Sequence, residues 1–139
     1  MLENSKIDIK IKLAVLWASV TLCYLYGDYF ELYTPEKIES LSSGQNVLNS
    51  PTKLLTASVI LSVPSVMVAL SVLLPAQINR ILNIIFGSIF TLMMIIIGIS
   101  SFIEWYSFYV FLAFLESIIT FSVVWYAVKW PRTLKANQT

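Results

Sequence analysis

Histidine is absent from this 139-residue chain, and cysteine occurs once, at Cys23. One thiol excludes an intramolecular disulfide, and zinc, haem and Cys–His chemistry have almost no ligands to draw on. Catalytic triads and dyads built on imidazole fall with them. Charge is scarce too: 12% of residues are charged and 58% are hydrophobic. A soluble domain covers its surface with about 25% charged residues, so lipid is the expected solvent and the bilayer the first expected partner. A net charge of +1 leaves no basic footprint for nucleic acid. No internal repeat or low-complexity tract is present. No cofactor is expected and an enzyme is disfavoured, because only carboxylates, tyrosines and Cys23 remain for chemistry and no recognisable constellation joins them.

What the chain has instead is long apolar runs. A helix needs about 20 mostly apolar residues to cross roughly 30 Å of hydrocarbon. Four segments qualify, at about 11–33, 52–74, 78–101 and 103–129, with an outer loop at 34–51 and a tail at 130–139. Lys6, Lys10 and Lys12 ahead of "LAVLWASVTLCYLYG" resemble a signal peptide. No small-x-small cleavage site follows, however, and Leu22 spoils a lipoprotein box at Cys23, so the segment reads as an uncleaved first span. Thr34 and Pro35 in "TPEK" suggest a short interfacial helix through Leu41, which "SSGQN" breaks. Ser50 and Pro51 repeat that start for the second span, and Pro75 ends it. "SFIE", Ser101 to Glu104, matches a capping box opening the fourth span. Trp105, Tyr106, Trp125, Tyr126 and Trp130 mark its two interfaces.

Charge sets an orientation. Lys6, Lys10, Lys12, Arg80, Lys129, Arg132 and Lys135 fall on the side of both termini and the second loop; only Lys37 and Lys53 fall opposite. By the positive-inside rule both termini are expected in the cytoplasm. The expected fold is all-α, an up-down bundle of four transmembrane helices in one domain.

Glu116 lies alone in "FLAFLESIITFSVVW". Twelve residues beyond Glu104, it should sit about 18 Å into the bilayer. A charge at that depth costs roughly 2.5–3.5 kcal/mol and so faces the bundle interior or water. The same inward step reaches Thr21 in the first span, Ser65 beside Pro64 in the second, and the Ser88–Thr91 region in the third. Pro64 frees the carbonyl of Ile60. Tyr109, Ala113, Glu116 and Thr120 share one face of the fourth span; Ser58, Ser62, Ser65 and Ala69 share one of the second; Asn83, Gly87 and Thr91 share one of the third. In "YLYGDYFELY", Tyr24, Asp28 and Glu31 align, with Gly27 leaving room for a neighbouring backbone. Asp28 and Glu31 are expected at the mouth of a column, Tyr24 between, and Glu116 at its base. Lys53, opening the second span on the outer side, is a candidate to neutralise Asp28 or Glu31, a salt bridge that stands as the alternative to a binding role for these acids.

"LWASVTLCYLYGDYFELY", "SPTKLL", "INRILNIIFG" and "FLAFLESIITFSVVWYAVKWP" together resemble a family of small four-span bacterial membrane proteins catalogued only as a domain of unknown function. That resemblance implies a four-span bundle in a bacterial inner membrane and carries no activity. The architecture is also similar, at fold level, to DoxX-like four-helix proteins.

Two functions remain open. One is binding or transport of a small molecule or cation in an outward-opening polar cavity lined by Tyr24, Asp28, Ser65, Thr91 and Glu116. The other is a structural or accessory subunit, with Glu116 and the small-residue seams serving helix packing or a homo-oligomer. Small multidrug exporters also carry a membrane glutamate, but they are shorter and place it in the first span.

Overall fold

The computed structural model describes residues 6–131. Arg132 and Lys135, two of the cations in the charge bias, lie outside the described residues. Along the chain come α1 (Ile9–Glu31), a short α2 (Lys37–Ser42), α3 (Pro51–Leu73), α4 (Ala76–Ser100), a 3-10 turn (Glu104–Tyr106) and α5 (Ser107–Val128). No strand occurs among the described residues. The four long helices are each long and apolar enough to cross a membrane. Their outward faces are apolar, as that composition implies: Leu73, Ile96, Ile99, Phe111 and Phe114 are all about two-thirds or more exposed.

Local chemistry explains most of the boundaries. Ser50 accepts a hydrogen bond from the Lys53 backbone N–H at 3.3 Å, with Pro51 as the first helical residue of α3. Pro75 is extended between α3 and α4 and turns the chain back. Gly44, at φ 73°, takes the left-handed conformation that ends the region of α2. Two expected starts are corrected. Thr34 does not cap α2: its hydroxyl donates to the Glu31 carbonyl at 2.8 Å and closes α1 instead. The Ser101–Glu104 capping box does not form either. Glu104 opens the 3-10 turn, and α5 begins only at Ser107.

The helices form a ring with one unsealed side. α5 packs along α4 and α1, and α1 packs along α3; α3 and α4 are consecutive yet meet over only a short stretch. The seam between α4 and α5 is closed by Gly87. A Cβ there would stand 2.8 Å from Val124 Cγ2 and 3.4 Å from the Thr120 carbonyl oxygen. One turn along, the Thr91 hydroxyl donates to that of Thr120 at 2.8 Å. Val124 is β-branched and stiff at χ1, so the clash cannot be relieved cheaply. Gly87→Ala should therefore destabilise by roughly 1–3 kcal/mol, read as a lower melting temperature in detergent.

The bundle is solid in the half that carries Lys10, Lys12, Arg80 and Lys129. Leu13 and Trp17 of α1, Met67 of α3, Phe90 of α4 and Val123 of α5 form its apolar core. Beside them lies a buried polar knot. Asn83 Oδ1 accepts from Trp17 Nε1 at 2.7 Å, Asn83 Nδ2 donates to Asn79 Oδ1 at 2.6 Å, and Asn79 Nδ2 donates to the Ser71 carbonyl at 2.5 Å. These bonds tie α1, α3 and α4 at one level. Cations complete the same end: Arg80 Nε donates to the Ala127 carbonyl at 3.0 Å, and Lys10 Nζ to that of Val72 at 3.4 Å, each against the C-terminal pole of a helix. Lys129 lies over Trp125, 3.9 Å from the ring centroid.

Candidate functional site

The opposite half is hollow. A cavity of about 260 Å³ opens where α3 and α4 part, and all four long helices line it. α3 contributes Ala57, Ile60 and Leu61; α4 contributes Met93, Met94 and Ile97. From α1 come Tyr24, Gly27 and Asp28, and from α5 come Tyr109, Leu112, Ala113 and Glu116. Most of this wall is apolar.

Helix geometry sets the depth of each polar group. Glu116 lies nine residues into α5, so at 1.5 Å per residue it is roughly 14 Å below Ser107. Counted from Glu104, the 3-10 turn adds three more residues at about 2 Å each, which leaves Glu116 near the expected distance from that end. Glu116 is the deepest lining residue of α5, and only 3% of it is exposed. Its backbone carbonyl accepts the Thr120 hydroxyl at 2.8 Å, but among the described residues nothing donates to its carboxylate. The carboxylate oxygens are not sealed off as the Tyr24 hydroxyl is, so they keep some access while the rest of the residue is buried.

Tyr24 is the second exception. Its hydroxyl is buried and has no hydrogen-bond partner among the described residues. Its ring leans on Phe90, with centroids 6.2 Å apart. An orphaned buried hydroxyl costs about 1–3 kcal/mol, and it belongs to a residue that lines the hollow together with Glu116. Tyr109 is half-buried beside them, and Asp28 is exposed at the rim. Gly27 also lines the hollow, with room for a Cβ. Its Cβ would meet Tyr109 and Leu112 side chains at 3.7 Å, not a neighbouring backbone as expected.

Four of the eight residues singled out from sequence thus come together: Glu116, Tyr24, Asp28 and Tyr109. The other four do not line the cavity. Ser65 is corrected most sharply. With Ser58, Ser62 and Ala69 it lies on the exposed face of α3, while Pro64, Met67 and Ser71 turn inward. Ser58 and Ser62 donate to the carbonyls of Leu54 and Val59, both at 2.8 Å, so they can face lipid with their donors satisfied. Thr21 bonds back to the Trp17 carbonyl at 3.0 Å. Thr91 is spent on Gly87 and Thr120 in the α4–α5 seam. Glu31 pairs with Lys37 at 2.5 Å, both partly exposed, which is worth at most about 1 kcal/mol. The expected partner, Lys53, instead donates to Asn49 Oδ1 at 2.9 Å.

Sequence reasoning missed the apolar wall. The adjacent methionines Met93 and Met94 were the available signal, since unbranched thioethers fill irregular space and adapt to what enters it. It also missed Trp17 and Asn79, whose partners are remote in the chain.

A family model, described as a family of unknown function (DUF6326), matches residues 3–137. The chain belongs to that family. The match covers every element of the DUF6326 bundle described above and agrees with the resemblance carried by its sequence blocks. No curated protein and no solved structure matches the chain. The DoxX-like likeness therefore goes no further than the helix count. Membership assigns no activity, so the DUF6326 site must be interpreted from its own chemistry.

Proposed function

We propose that this protein binds a small organic cation in the cavity between α3 and α4, with Glu116 as the counter-charge. The observation that carries the reading is Glu116, a buried residue at the cavity base whose carboxylate has no donor among the described residues. Intramembrane carboxylates face interiors and mark ion or substrate sites. An apolar wall with a few convergent polar groups is the ordinary make-up of a small-molecule site. Tyr24 and Tyr109 line the same cavity and add aromatic rings suited to an ammonium group. Asp28 at the rim adds a second negative charge on the way in.

The location we infer is a bacterial inner membrane, with both termini cytoplasmic. Lys10, Lys12, Arg80 and Lys129 gather at the solid end, whereas Asp28, Glu31, Glu36, Glu39 and Glu104 gather at the hollow end. On the positive-inside rule the cavity then lies in the outer half of the bilayer. The test is calorimetric titration of benzyltrimethylammonium into the full chain in lipid nanodiscs. Binding that vanishes in Glu116→Gln supports the reading; binding equal in both proteins refutes it.

One observation favours an accessory or self-associating role instead. Ser58, Ser62, Ser65 and Ala69 present a small-residue stripe on the exposed face of α3, and such stripes let membrane helices approach closely. Under that reading, cross-linking in native membranes should trap a dimer through α3, and Ser62→Leu should abolish it. Recovery of monomer alone would dismiss it.

A further inference from the structure

We propose that the ligand is an amphiphilic amine drawn from the bilayer itself, reaching Glu116 sideways through the gap between α3 and α4. This rests on the cation-binding reading above and adds the ligand class and the route. Three observations converge on it.

The first is the ring of helices. The α1–α3, α1–α5 and α4–α5 sides are packed along their length, but α3 and α4 are not. They are bound to each other at the solid end, where Asn79 donates to the Ser71 carbonyl. Beyond that tie, Pro64 interrupts the hydrogen-bond ladder of α3, and a proline inside a helix kinks or loosens it at that turn. Every cavity-lining residue of α3 lies on the far side of Pro64 from the tie. The two helices are therefore held at one end and unsealed at the other.

The second is the chemistry of the opening. Its edges are Ile60 and Leu61 on α3, 44% and 41% exposed, facing Met93 and Ile97 on α4. Nothing on these edges would offer an ion a solvated path. They offer hydrocarbon a continuous apolar surface from the lipid to the cavity.

The third is size. At about 260 Å³ the cavity falls below the roughly 300–1,000 Å³ of sites that enclose a drug-sized ligand. It holds a headgroup, and the rest of a larger ligand must lie outside. A cationic head beside Glu116 with an apolar tail passing between Ile60 and Ile97 satisfies both charge and volume. The tail gains little by leaving lipid for an apolar slot. Selectivity therefore comes from the head, and the tail serves to concentrate the ligand in the bilayer.

The experiment uses the full chain in phosphatidylcholine nanodiscs and two probes with the same head. Radiolabelled benzyltrimethylammonium is supplied in water. Benzyldimethylhexadecylammonium, with a diazirine in mid-tail, is dissolved in the lipid beforehand, and hexadecanol serves as the uncharged control. The long probe should displace the short one, hexadecanol should not, and light should cross-link the tail to α3 or α4 near Ile60 or Ile97. In Ile60→Trp/Ile97→Trp the long probe should lose at least about tenfold more affinity than the short probe does. Both positions border the lipid side, so a matching melting temperature will show that the variant is folded. Failure of the short probe to bind the wild type removes the cation-binding reading itself. Short-probe binding without displacement or cross-linking by the long probe overturns the lateral route alone. Equal loss of both probes in the tryptophan variant also overturns it, because the indoles would then be filling the cavity. Displacement by hexadecanol overturns the amine assignment.

Discussion

Glu116→Gln should weaken binding of a small organic cation by roughly 30-fold to several thousand-fold and leave the melting temperature in detergent unchanged. The affinity loss follows from removing one member of a desolvated charge pair, which costs about 2–5 kcal/mol. Stability should hold because the Glu116 carboxylate accepts no hydrogen bond from a described residue. An amide of the same shape therefore forfeits nothing. Glu116→Leu sharpens the test. If the carboxylate holds helices together, leucine must loosen the bundle; if it serves a ligand, leucine should keep or raise the melting temperature, since a charge leaves an apolar wall. A proton and the cation compete for the same carboxylate. Acidification should accordingly weaken wild-type binding and leave any residual binding of Glu116→Gln unaltered. Titration calorimetry across pH, beside a melting curve for each variant, checks all of these outcomes.

Asn83→Ala should have the largest effect on stability, about 2–4 kcal/mol, with ligand chemistry untouched. Asn83 is fully buried, and its amide is shared among three helices: it accepts from Trp17 on α1 and donates to Asn79 on its own helix, with Ser71 of α3 alongside. Alanine strands the buried Trp17 N–H and Asn79 side-chain oxygen and leaves a void. A double-mutant cycle with Trp17→Phe isolates the bond between α1 and α4. The coupling should fall near 0.6–1.7 kcal/mol, the range that hydrogen bonds between membrane helices reach. A coupling of zero would mean that the knot is not cooperative. Because the knot is the tie from which α3 and α4 diverge, its loss should also blunt the distinction between the solid and hollow halves.

The number and lengths of the long helices were legible because a long apolar run suited to a bilayer is helical, every backbone group then being satisfied within the segment. The family was legible from blocks such as "YLYGDYFELY" and "FLAFLESIITFSVVW" for the same linear reason. Glu116, Tyr24, Asp28 and Tyr109 could be found because charge and phenol are rare in such runs and helical spacing places them on inward faces. Ser65 was lost on the same logic. Its stripe satisfies the periodicity rule as well as the inward stripe of Pro64, Met67 and Ser71 does, and a serine bonded back to its own helix is cheap on either side.

What the sequence determined by itself was therefore four helices long and apolar enough to cross a membrane and the rarity of the acid among them, all consequences of hydrophobic length and composition. Only the tertiary structure decided which face of α3 turns inward, that Lys37 rather than Lys53 meets Glu31, and that α3 and α4 close at one end and part at the other. Those outcomes depend on how side chains remote in the chain fit one another. Trp17 finding Asn83, and Gly87 admitting Val124, are contacts that no local pattern encodes.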